Sequence, residues 1–147
     1  MSEIKRILAH PRVYKYLHDD YTDPCEQWEP INHPSVLYVS CRDEGGAVIG
    51  MYILNIHSRV CVEIHEGFLP EAWGAKARRA AIELREWIWR ETQFQRVIGK
   101  IVASNHAAIE YAKSAGMEIF GVDKKSFMRD GKLQDQVYVG ISRPEGK

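Results

Sequence analysis

A chain of 147 residues, 45% hydrophobic and 27% charged, is long enough to bury one sizeable core and too short for two ordinary domains, so a single domain over residues 1–147 is expected. Twenty Lys and Arg against twenty Asp and Glu leave no net charge, which speaks against a general nucleic-acid or membrane binder, since either normally carries a basic excess. The balance is uneven: residues 17–41 hold five acidic side chains and no Lys or Arg, whereas residues 73–100 hold seven basic and three acidic. Cys25, Cys41 and Cys61 are odd in number and widely spaced, as reduced thiols of a cytoplasmic protein would be. Six scattered histidines form no metal-ligand spacing, and neither a secretory leader nor an apolar run of membrane-spanning length (~18 residues) is read.

In chain order, SEIKRILAHPRVYKYLHDD spaces Ile4, Ile7, Leu8, Val13, Tyr14 and Leu17 at helical intervals, giving one or two short helices interrupted at Pro11. Tyr21 to Ser35 carries three prolines and reads as an irregular loop. The period then changes to strands over Ser35–Arg42, Ala47–His57 and Arg59–Glu66, an antiparallel meander turning at DEGG and HS. In the third strand Val60, Val62 and Ile64 share one face, and Cys61, Glu63 and His65 the other. From Glu71 to Trp89 a long helix puts Ala77, Ala80, Ala81, Leu84, Trp87 and Ile88 on an apolar stripe, with Lys76, Arg78, Arg79, Glu83, Glu86 and Arg90 on a wet face. A short strand, RVIGKIVA, precedes a helix from Asn105 to Ala115, capped by Asn105 in front and Gly116 behind. MEIFGVDKKSFMR and QDQVYVGIS, joined through DGKL, close a mixed α/β order.

One start stands out. Gly74 lets the chain bend closely where unpartnered backbone N–H groups and the helix dipole meet Lys76, Arg78 and Arg79, a combination suited to a phosphate. An ordinary amphipathic surface helix accounts for the same residues.

With that order in place, the chain resembles the GCN5-related N-acetyltransferase (GNAT) superfamily, nearest to its ribosomal-protein N-acetyltransferase-like branch and somewhat like its short phage-encoded members. VEIHEGFLPEAWGAKARRAAIELREWIW resembles the fourth strand, pyrophosphate loop and following helix; WGAKARRAA follows a Trp-Gly-x-Gly-x-x-x-x-Ala form. VASNHAAIEYAKSAGMEIFG resembles the strand-to-helix Asn and the Gly-hydrophobic ending, and DGKLQDQVYVGIS the closing hairpin. The resemblance implies a mostly antiparallel central sheet with helices on both faces, splayed between its fourth and fifth strands to admit acetyl-CoA. Backbone of the fourth strand, including Ile64, Glu66 and Phe68, would meet the pantetheine arm. Trp73, Gly74, Ala75, Lys76, Ala77, Arg78 and Arg79 would surround the pyrophosphate, and Asn105 would face the cofactor arm. Three positions depart from the family form: Lys76 stands where a second glycine is usual, Glu71 where the loop usually opens with Arg or Gln, and Ala112 where a tyrosine is frequent, with Tyr111 expected to point elsewhere.

Acetyl transfer to an amine needs a group that removes a proton, and Glu63 and His65, on one strand face beside the expected cleft, are the candidates. Glu63 is favoured on the family's habit of a carboxylate there. Asp19, Asp20, Asp23 and Glu26 would form an acidic lip for an amine of a protein N-terminus, a lysine or a small molecule, and Trp28 either packs over it or anchors the core. Two readings follow: an acetyl-CoA-dependent N-acetyltransferase, with a homodimer admitted, or a non-catalytic GNAT-like binding or assembly module.

Overall fold

The computed structural model describes residues 2–146. Ser2 caps α1 (Glu3–Leu8) by accepting from Lys5 N at 3.2 Å, and Pro11, useless as a donor, takes the first position of α2 (Pro11–Leu17). The meander follows as β1 (Val36–Arg42), β2 (Val48–Ile56) and β3 (Cys61–Phe68). A single 3-10 turn, Pro70–Ala72, leads to α3 (Ala75–Glu91); then come β4 (Arg96–Val102), α4 (His106–Ser114), β5 (Glu118–Arg129) and β6 (Lys132–Ser142).

The six strands form one sheet in the order β1-β2-β3-β4-β6-β5, antiparallel everywhere except between β3 and β4. Both faces are covered because both carry apolar residues. Tyr52, Leu54 and Val62 on one face pack with Ala77, Leu84 and Ile88 of α3 and Ile109 and Ala112 of α4. Met51 and Val48 on the other pack with Ile7 and Leu8 of α1. α2 sits directly on β3: a Cβ at Gly67 would lie 2.5 Å from Val13 Cγ1, so only glycine allows that approach. The mixed, mostly antiparallel splayed sheet expected from the sequence is the sheet observed.

Among the boundaries that differ from the sequence pattern, three have a clear local reason. β3 starts at Cys61 rather than Arg59, because Ser58 Oγ accepts from Val60 N and Cys61 N at 3.2 Å and holds the turn wider. Val60 therefore stays 53% exposed instead of joining Val62 in the core. The long helix starts at Ala75, not Glu71, since Gly74 at φ 93 breaks the chain after the 3-10 turn. The last hairpin turns in two residues, Asp130 and Gly131, both at positive φ, while Lys132 and Leu133 already belong to β6.

Candidate functional site

β3 and β4 pair in parallel only from Cys61–Arg96 to Glu63–Ile98, after which they part. Which backbone groups this strands follows from the β2 side. His57 N donates to Cys61 O at 3.0 Å and Leu69 N to Ile49 O at 2.9 Å, so the odd-numbered residues of β3 exchange hydrogen bonds with β2. The even-numbered ones turn their N–H and C=O groups the other way: the Glu63–Ile98 pairing still takes the Ile64 N–H, and beyond it the Ile64 carbonyl and the Glu66 backbone groups face the space that β4 has left. The Phe68 carbonyl accepts from Trp73 Nε1 at 2.8 Å, which ties the loop before α3 to the end of β3. Below this edge lies a cavity of about 970 Å³ that reaches from Trp73, Gly74 and Arg78 through the parting strands to His65, Phe127 and Gln136.

One end of the cavity is the start of α3. Gly74 is its N-cap at φ 93, ψ −124, a region open to glycine, and no side chain caps it. The N–H groups of Ala75, Lys76 and Ala77 thus lack intrahelical acceptors, which makes an anion site of the helix end. The cations expected there divide. Gly74, Ala77 and Arg78 line the cavity, whereas the Lys76 and Arg79 side chains line a separate groove of about 640 Å³ against β1 and β2, where Arg79 lies 3.8 Å from Glu44. With 3.6 residues per turn, Lys76 and Arg79 share the helix face turned away from the cleft, so of the three cations only Arg78 has its side chain on the cavity wall. Trp73, held under Arg12 at 5.1 Å from its ring centre, forms the wall toward α2.

At β3 the strand sorts its acids onto two faces. Glu63 and His65 face α2, and the Glu63 carboxylate is shared between two imidazoles: Oε1 to His57 Nε2 at 2.9 Å and Oε2 to His65 Nε2 at 2.5 Å. The His65 bond, outweighing the cost of burial, holds the Glu63 carboxyl below the usual range, so Glu63 is a carboxylate with both oxygens engaged by imidazoles. Of these three side chains, only His65 lines the cavity. His57 gave no sequence signal for this role, because it lies across the β2–β3 turn and meets Glu63 only once the hairpin register is set.

Glu66 faces the other way, toward α3, with Tyr52 opposite it across β2–β3. Its carboxyl lines the cavity and makes no hydrogen bond or ion pair among the described residues. Burial without a partner pushes its pKa up to about 7. Tyr52 Oη and Tyr111 Oη are 2.6 Å apart, and Tyr111 donates to Ala77 O at 3.1 Å. Burial raises both phenols above their ordinary value. Tyr111 therefore lines the cavity with its hydroxyl engaged, while Ala112 is buried in the core.

The remaining expectations land elsewhere. Asn105 lines the cavity, but its Oδ1 accepts from Ala108 N at 3.1 Å, so the side-chain oxygen caps α4. None of Asp19, Asp20, Asp23 and Glu26 lines the cavity. Asp20 accepts from Asp130 N and Gly131 N, both at 2.9 Å, and Asp19 Oδ1 accepts from Tyr21 N at 3.0 Å; these acids hold loops. Trp28 packs beside Tyr14 and His18 over the α1 cluster, an anchor of the core.

A family profile for the acetyltransferase (GNAT) domain matches residues 2–118. The chain belongs to the GNAT acetyltransferase superfamily. Among solved structures it is similar to the spermidine N-acetyltransferase of Vibrio cholerae in complex with CoA and spermine, at 16% identity over 95% of this chain and 87% of that one, with a TM-score of 0.80. It is also similar to a GNAT superfamily phosphinothricin acetyltransferase of Sinorhizobium meliloti in complex with AcCoA, at 25% identity over 76% of this chain and 63% of that one, with a TM-score of 0.65. No curated protein sequence matches it.

Proposed function

We propose that the chain is an acetyl-CoA-dependent N-acetyltransferase, working as a single domain, that moves an acetyl group directly to a primary amine. The observation that carries this reading is a continuous one: the backbone edge of β3 that β4 leaves beyond Ile64, at Glu66, an open helix start at Gly74 and the imidazole of His65 all border one cavity. The relatives named above, held with CoA, AcCoA or spermine, support the same reading.

The residues fit acetyl-CoA by their donor set. The N–H groups of Ala75, Lys76 and Ala77, the helix dipole and Arg78 suit its phosphates, and the edge of β3 suits the amides of its arm. When bound, acetyl-CoA supplies an acetyl group activated as a thioester. The proton of the amine falls to His65. Because Glu63 Oε2 accepts at His65 Nε2, that nitrogen carries the hydrogen and Nδ1 is left with the lone pair. His57 at the other carboxylate oxygen keeps Glu63 ionised and in place. This reading assigns base and orienter in the reverse of the order that the sequence favours. A protein N-terminus, as in the ribosomal-protein branch, is one acceptor that this reading admits.

The test pairs calorimetry with acetyl-CoA and CoA against mass-spectrometric acetylation of peptide, amino-acid and polyamine amines. We expect His65→Ala to lower kcat by about 100-fold, Glu63→Gln by less, and both to leave CoA affinity within a few-fold. Absence of acetyl-CoA binding by the wild-type chain overturns the reading. Tight CoA binding without turnover on any amine would favour the non-catalytic module instead.

A further inference from the structure

We propose that Glu66 is the proton donor to the departing thiol of CoA, giving a proton from its neutral carboxyl to the sulfur as the carbon–sulfur bond breaks and remaining as a carboxylate. The inference rests on the N-acetyltransferase reading above and adds to it a residue that the sequence placed only as backbone along the cofactor arm.

Transfer from a thioester to an amine forms a carbon–nitrogen bond, breaks a carbon–sulfur bond and conserves protons: the nitrogen gives one up and the sulfur takes one. His65 Nδ1 receives the first. The second needs an acid on the cavity wall that is protonated at working pH and is not already donating elsewhere. Of the phenols on the wall, Tyr16 belongs to α2, which packs on the opposite face of β3, and the two on the Glu66 side fail this condition. Tyr111 spends its hydrogen on Ala77 O at 3.1 Å, so Tyr52, 2.6 Å away, spends its own on Tyr111. Lys100 is held by Asp123 at 2.7 Å, and His65 is already the acceptor. Glu66 alone among these has a carboxyl with no hydrogen-bond or ion-pair partner, set between Ile64 and Phe68 on the edge that borders the opening.

The groups around it keep it protonated. Tyr52 and Tyr111 face it from β2 and α4, Cys41 interacts with it from β1, and all three are neutral, since burial pushes each of their pKa values up, the Cys41 thiol to about 12. Of the charged groups, His65 on the opposite strand face lowers the carboxyl's pKa less than burial raises it. Arg78 and Arg85 also line the cavity, and the Arg85 guanidinium is engaged with Ala115 O at 2.7 Å and with Glu86. A carboxylic acid in an apolar wall, neutral near pH 7, is a known solution to donating a proton at that pH. After the step, Glu66 carries a carboxylate and His65 an imidazolium, and a proton passed through solvent from the second to the first restores both.

Glu66→Gln, of the same shape but without a transferable proton, tests this against the wild type. Infrared spectra of the ligand-free wild type should show a protonated-carboxyl band titrating near pH 7 that is missing from the variant. In turnover, wild-type kcat should fall as pH rises through that value, and the variant should run about 100-fold slower at pH 7 with that fall gone. CoA affinity should stay within about threefold, since the arm is met by backbone. A wild type that turns over while Glu66→Gln keeps its rate and pH profile overturns this assignment alone, as does a carboxyl band already lost by pH 5. A wild type that does not bind acetyl-CoA overturns the enzyme reading and this one together.

Discussion

Glu66→Gln should also stabilise the fold at alkaline pH, and the size of the effect can be worked from burial. Raising the carboxyl from 4.5 to about 7 disfavours its ionised form in the fold by about 3 kcal/mol. The sign follows from where each state loses its proton. The unfolded chain deprotonates near 4.5 and the folded chain only near 7, so wild-type stability from this group is fully present below 4.5, declines across that window and levels off above it. Glutamine does not titrate. Urea unfolding at pH 5, 6, 7 and 8, followed by circular dichroism and tryptophan fluorescence, should therefore show the variant gaining on the wild type as pH rises, with about 3 kcal/mol as the ceiling because the cleft admits water. In melting temperature this is about 2–4 °C per kcal/mol. A difference that stays flat from pH 5 to pH 8 would refute the burial of an unpartnered carboxyl, and one that shrinks would refute the sign.

Gly74→Ala adds a Cβ with no atom within 4 Å, so its cost of about 1–3 kcal/mol in thermal unfolding is purely that of the φ 93 backbone, whereas Gly74→Asp should also weaken CoA binding at least tenfold by calorimetry. Arg78→Ala should weaken CoA binding and flatten its salt dependence, while Lys76→Ala, whose side chain lies in the other groove, should change affinity by less than about twofold; equal losses would put both cations on the phosphates. Asp20→Ala leaves the N–H groups of Asp130 and Gly131 without their acceptor and should cost about 1–3 kcal/mol in chemical denaturation with acceptor KM unchanged; a raised KM at full stability would restore the acidic lip.

Much of the architecture was legible in the sequence because it depends on neighbours along the chain. The apolar run VIGMYILNI, the helical stripe from Ala77 to Ile88, the Asn105 cap and the glycine at the head of α3 each report a local composition, period or dihedral, and each appears where it was read. Even the β3–β4 opening was foreseen, through the family resemblance. The chemistry was less legible, because the state of an ionisable group is set by what folds against it. Glu63 and Glu66 differ by three positions in one strand, yet the first is ionised between His57 and His65, and the second stands unpaired in an apolar wall. Nothing in VEIHEGF distinguishes them; strand parity puts them on opposite faces, and only the packing of α2 on one face and α3 with α4 on the other gives those faces different dielectrics. In the same way Lys76 and Arg78 read alike as cations near a glycine until the docking of α3 turned one toward β1 and the other into the cleft. Asp20 read as an acid free to attract an amine until the β5–β6 hairpin, more than a hundred positions away in the chain, presented it with two backbone donors.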